Sequence, residues 1–148
     1  MQTTEIKHLL LIDDDEDDFF ILHEIITQFF PTIKISFMKD CKRMAKDDFY
    51  RVDMVLLDIN MPRMSGFECL HIIRTDYNLF NLPIVMCSNS NTDRDIKKAY
   101  ETGANLFLHK PMNFEKITEA INELVSIDWS DLEGLTTEFA QTRKVLSY

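Results

Sequence analysis

The chain has no apolar run long enough to cross a membrane: its longest are short and bounded by polar residues. The stretch Met1–Lys7 is polar and the run after it is soon broken by acids, so neither a leader nor an anchor is expected. A cytoplasmic protein with no membrane partner follows as the expectation. Positive charge is also scarce. With 16 Lys and Arg against 25 Asp and Glu, the net charge of -9 argues against nucleic acid, whose binding depends on neutralising phosphates. Cysteine is limited to Cys41, Cys69 and Cys87, an odd number without CxxC spacing, so reduced thiols are expected rather than a disulfide framework or a zinc site. None of the four histidines has a second His or Cys at metal-ligand spacing. His109, inside an apolar run, reads as a packing residue. Low-complexity stretches are lacking, and so are internal repeats of about 20 to 50 residues beyond the βα unit.

What is present is a 148-residue chain with 45% hydrophobic and 28% charged residues, enough for one globular core and too short for two full domains. Four short apolar runs each end in a polar residue suited to phosphoryl chemistry. Leu9–Ile12 leads into Asp13-Asp14, Val55–Leu57 into Asp58, Ile84–Cys87 into Ser88, and Leu106–His109 into Lys110-Pro111. Such runs suit buried strands of a parallel sheet, where ligands sit beyond the carboxyl ends of the strands. If the strands are neighbours, three carboxylates, an ammonium and a hydroxyl converge on one point, a set suited to holding a hard cation beside a nucleophilic acid.

Between these runs the periodicity becomes helical. Leu22, Ile25, Ile26 and Phe29 share one face of a helix that stops before Pro31. A second extended run, Ile33–Met38, precedes a weak polar helical stretch from about Asp40 to Asp47. Met61-Pro62 and Ser65-Gly66 mark a loop before a helix carrying Phe67, Leu70 and Ile73. Asn91-Thr92 caps a helix ending at Gly103, and Asn113 caps one bearing Phe114, Ile117, Ile121 and Leu124. Five strands alternating with five helices predict an α/β fold with a parallel sheet. Residues 127–148 read as a tail packing back on the domain. Trp129, Leu132, Leu135 and Phe139 would line a short helix there, with Ser130 and Glu133 as a capping box.

Asp13-Asp14 after the first strand, Asp58-Ile59-Asn60-Met61-Pro62 with Gly66 after the third, Ser88 after the fourth, and Gly103-Ala104 leading to Lys110-Pro111 resemble the receiver domain of two-component response regulators. The resemblance covers about Lys7 to Val125, within a domain placed at residues 1–126. It implies a flavodoxin-like (βα)5 doubly wound parallel five-stranded sheet of order 2-1-3-4-5. It implies that Asp58 accepts a phosphoryl group from a phosphohistidine on a sensor histidine kinase or histidine phosphotransfer protein. Mg2+ would be held by Asp13, Asp14, Asp58 and the backbone carbonyl of Asn60, with Lys110 neutralising phosphoryl charge. Ser88 and Phe107 would form the switch, remodelling the face of the fourth helix, fifth strand and fifth helix. Phe107 departs from the Tyr often found there and lacks its hydroxyl. Asn60, Asn89 and Ser90 would tune the acyl phosphate's lifetime, and a cis Lys110–Pro111 bond is implied.

With no output domain after the fifth helix, the chain resembles stand-alone regulators. Asp95-Ile96 with Tyr100, Lys110-Pro111-Met112 and Trp129 extend the resemblance to regulators of phytochrome-type kinases, and with it to a homodimer through the fourth helix, fifth strand and fifth helix. One of Phe19 and Phe20 is expected in the core, the other exposed for docking a donor bundle. Three rival readings fit parts of the sequence. An EF-hand reading of Asp13, Asp15, Asp17 and Glu24 places Asp18 where Gly is required. An aspartyl-phosphate phosphohydrolase would need an acid where Asn60 stands. The last is a receiver-like scaffold that works without phosphorylation.

Overall fold

The computed structural model describes residues 5–148, so most of the Met1–Lys7 stretch lies outside the described residues. Five core strands are β1 (His8–Ile12), β2 (Lys34–Met38), β3 (Met54–Asp58), β4 (Ile84–Ser88) and β5 (Leu106–His109). A sixth, β6 (Val145–Leu146), comes from the end of the chain. All pair in parallel, in the order β2-β1-β3-β4-β5-β6. The expected five-strand order is present, and the sixth strand extends it along the edge of β5.

The helices are α1 (Glu16–Phe29), α2 (Gly66–His71), α3 (Asp93–Thr102), α4 (Phe114–Ser126) and α5 (Leu132–Thr142). Alternating strand residues point to opposite faces, and each face builds its own core. Leu10, Ile12, Val55, Leu57, Met86 and Phe107 pack towards α2 and α3. Leu9, Leu11, Leu56, Val85 and Leu108 pack towards α1, α4 and the C-terminal segment, with Trp129, Phe139 and Leu146 buried there. Capping fixes the helix starts. Asp15, Thr92 and Asn113 accept from backbone N–H groups of the first turns of α1, α3 and α4, and Gly103 ends α3 at φ 117° in the left-handed region that glycine adopts freely.

Four expectations are corrected. The polar stretch after β2 forms two 3-10 turns, Cys41–Arg43 and Lys46–Phe49, rather than a helix, because only Cys41 and Phe49 of it are buried. The helices expected as fourth and fifth are therefore α3 and α4. In the tail, Asp131 rather than Ser130 caps α5, accepting from Gly134 N–H at 3.2 Å, and Trp129 precedes the helix with its indole N–H on the Leu124 carbonyl at 3.0 Å. The Lys110–Pro111 peptide is trans, like every peptide bond among the described residues. Cys41 and Cys69 are joined in a disulfide, with Cα atoms 6.1 Å apart, while Cys87 is a buried free thiol. Sequence spacing gave no sign of this bridge, because the fold alone brings the turn after β2 against α2.

Candidate functional site

The carboxyl ends of β1, β3 and β5 place Asp13, Asp14, Asp58 and Lys110 around one open cavity of about 550 Å³, lined also by Asp15–Asp18, Lys39, Asn60 and Asn89. Strand register explains the convergence. Asp58 pairs with Cys87, Ser88 with His109, and the N–H of Lys110 donates to the Ser88 carbonyl at 2.8 Å. Asp13 and Asp58 are buried, Asp14 is half-buried, and one carboxylate oxygen of each lies within 4.8 Å of the others. This cluster offers only hard oxygen donors, the chemistry that a small divalent cation such as Mg2+ prefers.

Lys110 ties the cluster together. Its Nζ donates to Asp13 Oδ2 at 3.1 Å and Asp18 Oδ2 at 3.0 Å, and lies 3.3 Å from Asp58 Oδ1. Burial, the hydrogen bond to Asp18 and the charge of Asp58 push the Asp13 carboxyl up to about 7, against the opposing pull of Asp15 N–H and Lys110. Burial likewise raises Asp58, although Lys110 and the Asn60 N–H hold it down. For Lys110, burial disfavours the charge, but Asp58, Asp13 and Asp18 outweigh it and keep the ammonium protonated. The site is thus a cation-hungry acid cluster partly neutralised by one lysine.

The acid run itself is a turn and a helix cap. Asp13 accepts from Asp15 N–H and Asp15 from Asp17 N–H, each at 2.9 Å, which leads into α1 instead of wrapping a calcium ion. Asn60 follows β3 and lines the cavity. Ser88 and Phe107 do not line it. Ser88 is fully buried at the end of β4, its hydroxyl accepting from Ser90 N–H at 3.0 Å, and Phe107 is fully buried with its ring turned into the core. His109 is half-buried and hydrogen-bonds the Asn89 carbonyl at 2.9 Å, so it does more than pack. Sequence reading missed Asp18 as a partner of Lys110. The available signal was its place in the acidic first turn of α1, which points back at the strand ends.

The family model of the response regulator receiver domain matches residues 9–122. Among curated relatives, a probable methanogenesis regulatory protein of Methanothrix harundinacea is 35% identical over 71 residues, covering 48% of this chain and 46% of that protein. Stress response regulator protein 1 of Candida albicans is 28% identical over 107 residues, covering 71% of this chain and 38% of that protein. The matched region thus spans less than half the length of these relatives. Among solved structures, the phosphorylated cyanobacterial phytochrome response regulator RcpA superposes with a TM-score of 0.73 at 25% identity, covering 85% of this chain and 96% of that one. The signal receiver domain of a DNA-binding response regulator from Colwellia psychrerythraea has a TM-score of 0.68 at 27% identity, covering 82% and 99%.

The fold and these matches together define a receiver domain, the signalling phosphoacceptor module of two-component systems. The chain belongs to the response regulator receiver domain family. No helix among the described residues is long and apolar enough to cross a membrane.

Proposed function

We propose that the chain is a cytoplasmic response regulator receiver in which Asp58 accepts a phosphoryl group from a phosphohistidine on a sensor histidine kinase or histidine phosphotransfer protein. The observation that carries this reading is the position of Lys110 Nζ, 3.3 Å from Asp58 Oδ1 within a cluster of three carboxylates. An ionised carboxylate oxygen of Asp58 attacks phosphorus to form the O–P bond, the N–P bond of the donor breaks with its electron pair returning to that nitrogen, and the ring leaves as neutral imidazole because its other nitrogen is already protonated. Asp13, Asp14, Asp58 and the Asn60 carbonyl would hold Mg2+, which supplies neutralisation of phosphoryl charge. Lys110 screens a second phosphoryl oxygen and orients the acceptor.

The Ser88 hydroxyl, one residue beyond the register partner of Asp58, would turn from Ser90 N–H to the new phosphoryl group. Phe107 already faces inward, so the switch acts by shifting an existing equilibrium of the β4 and β5 ends rather than by driving the ring in. The donor would dock on α1 and the loop before α4. Phe20 is 61% exposed and Met112 90% exposed there, and Phe29 meets Phe114 edge to face at 6.2 Å. The likeness to RcpA supports a phytochrome-type kinase as the class of donor. A homodimer through α3, β5 and α4 would meet β6 in place of a bare β5 edge. Sedimentation with and without phosphorylation reads that assembly.

The deciding experiment is intact-protein mass after incubation with acetyl phosphate, with and without Mg2+, on the native chain and Asp58→Asn. A Mg2+-dependent gain of one phosphoryl group that vanishes in the variant is the expected result. Absence of any gain in a folded, metal-binding protein would favour a scaffold, and steady phosphate release would favour a phosphohydrolase.

A further inference from the structure

We propose that Cys41 and Cys69 form a reversible thiol–disulfide site, oxidised by a small-molecule disulfide of the glutathione class, that sets the order of the loop following Asp58. The effect on Mg2+ and phosphorylation rests on the phosphoacceptor reading above, whereas the thiol chemistry stands apart from it. The bridge joins positions 28 apart in sequence, and the enclosed segment holds β3, Asp58 and Asn60. Cys41 opens the 3-10 turn after β2, and Cys69 lies in the first turn of α2. The start of α2 is seated directly on the acceptor strand: Gly66 N–H donates to the Ile59 carbonyl at 2.9 Å, and a Cβ at Gly66 would collide with the Asp58 carbonyl. A tether on α2 is therefore a tether on the backbone of Asp58.

Both cysteines are buried, Cys41 at 3% exposure and Cys69 at 0%. Cys41 alone of the two borders a cavity, of about 360 Å³, with Asp14, Met61 and Arg63, so a small disulfide reaches the pair from that side. Asp14 also lines the acidic cavity, so the two spaces share a wall. Arg63 crosses this cavity to Asp40, which caps the Cys41 turn, at 3.6 Å. The third cysteine does not compete, since burial pushes the Cys87 thiol up to about 12.

The exchange runs in two steps. The Cys41 thiolate attacks one sulfur of the small disulfide, the S–S bond breaks, and one small thiol leaves after taking up a proton. The Cys69 thiol then loses its proton and attacks Cys41 Sγ in the mixed disulfide, displacing the second small thiol. Two protein thiols are oxidised, and one small disulfide is reduced to two thiols. An excess of the small thiol reverses both steps. Contacts besides the bridge hold the turn in place: the Tyr77 hydroxyl donates to the Met44 carbonyl at 2.9 Å, and Phe49 is buried against Tyr77. The reduced chain therefore keeps its fold while losing the tether. In reducing compartments, disulfides that do form mostly serve catalysis or redox sensing.

The test equilibrates the full chain in glutathione buffers of graded redox ratio, alkylates it under denaturing conditions and reads intact mass. Mg2+ affinity by calorimetry and acetyl phosphate labelling are measured on the same samples. The expected result is a graded, reversible passage from all 3 cysteines alkylated to Cys87 alone. The bridged form should bind Mg2+ about fivefold more tightly than the reduced form. Cys41→Ser and Cys69→Ser should each keep the reduced-form affinity in every buffer. Three results would overturn the proposal: all thiols alkylated at every ratio, redox forms differing less than about twofold in Mg2+ affinity, or a reduced chain without native circular dichroism. Normal redox behaviour with no labelling in either form would refute the phosphoacceptor reading alone.

Discussion

Lys110 Nζ, reaching in from the end of β5, contacts two carboxylates at the ends of the neighbouring strands β1 and β3, 3.1 Å from Asp13 Oδ2 and 3.3 Å from Asp58 Oδ1. Both acids are almost fully buried, and the lysine is largely so. Losing the lysine would leave two carboxylates facing each other without a cation. Lys110→Ala should cost the metal-free protein about 2–4 kcal/mol at pH 8, with part of the loss restored by Mg2+. Urea unfolding with and without Mg2+ measures it. A loss insensitive to Mg2+ would mean that Lys110 acts by packing alone.

The pH dependence of the metal-free protein has an unusual sign. The Asp13 carboxyl is raised from 3.8 to about 7 in the folded chain, so between these values the native state holds a proton that the unfolded state has released. Stability from this group is complete below the unfolded value and is lost as pH rises through about 7. The slope is at most about 1.4 kcal/mol per pH unit for one proton. The raised Asp58 adds in the same direction. Melting temperature should fall from pH 5 to pH 8 without metal and flatten with saturating Mg2+, which displaces the proton. A rise over that range in metal-free protein would contradict the burial of Asp13.

Phe20 is solvent-exposed on α1, while Phe19 stacks on Phe37 with ring centroids 4.7 Å apart. Phe20→Ala should leave stability within about 0.5 kcal/mol of the parent. It should slow transfer from a phosphohistidine donor roughly tenfold or more, as loss of an aromatic anchor does. Labelling by acetyl phosphate should be unchanged. Equal slowing with both donors would remove Phe20 from the docking surface.

Arg74 is buried, and among the described residues no carboxylate pairs with it. Its guanidinium donates to the carbonyls of Gly103, Leu79 and Leu82 and to Asn105 Oδ1 at 2.6–3.0 Å, and Asn105 passes the network to Thr136 of α5 at 2.7 Å. Burial lowers its pKa to about 10, which leaves it charged at neutral pH. Arg74→Leu strands these acceptors, and Arg74→Lys cannot reproduce the fork. Both should destabilise by about 3 kcal/mol or more in urea unfolding. A loss below about 1 kcal/mol in either would show that water replaces the guanidinium.

The strand ends were legible because local rules govern them. A short apolar run closed by a polar residue reads as a buried parallel strand, and chain order then assigns Asp13, Asp14, Asp58, Ser88 and Lys110 to one edge of the sheet. Helix caps at Asn113 and Gly103 were equally local. The stretch after β2 was not, since its few apolar residues leave helix and 3-10 turn close in energy and packing decides between them.

The sequence by itself determined the parallel α/β fold and the convergence of three carboxylates and a lysine, because both follow from periodicity along the chain and the fixed polarity of parallel strands. Only the tertiary structure decided which distant groups touch: the ion pair of Asp18 with Lys110, the Cys41–Cys69 bridge, the Arg74 network and the pairing of β6 with β5. Those contacts join positions far apart in the chain, and no short-range pattern encodes how helices and turns settle against one another once the sheet has formed.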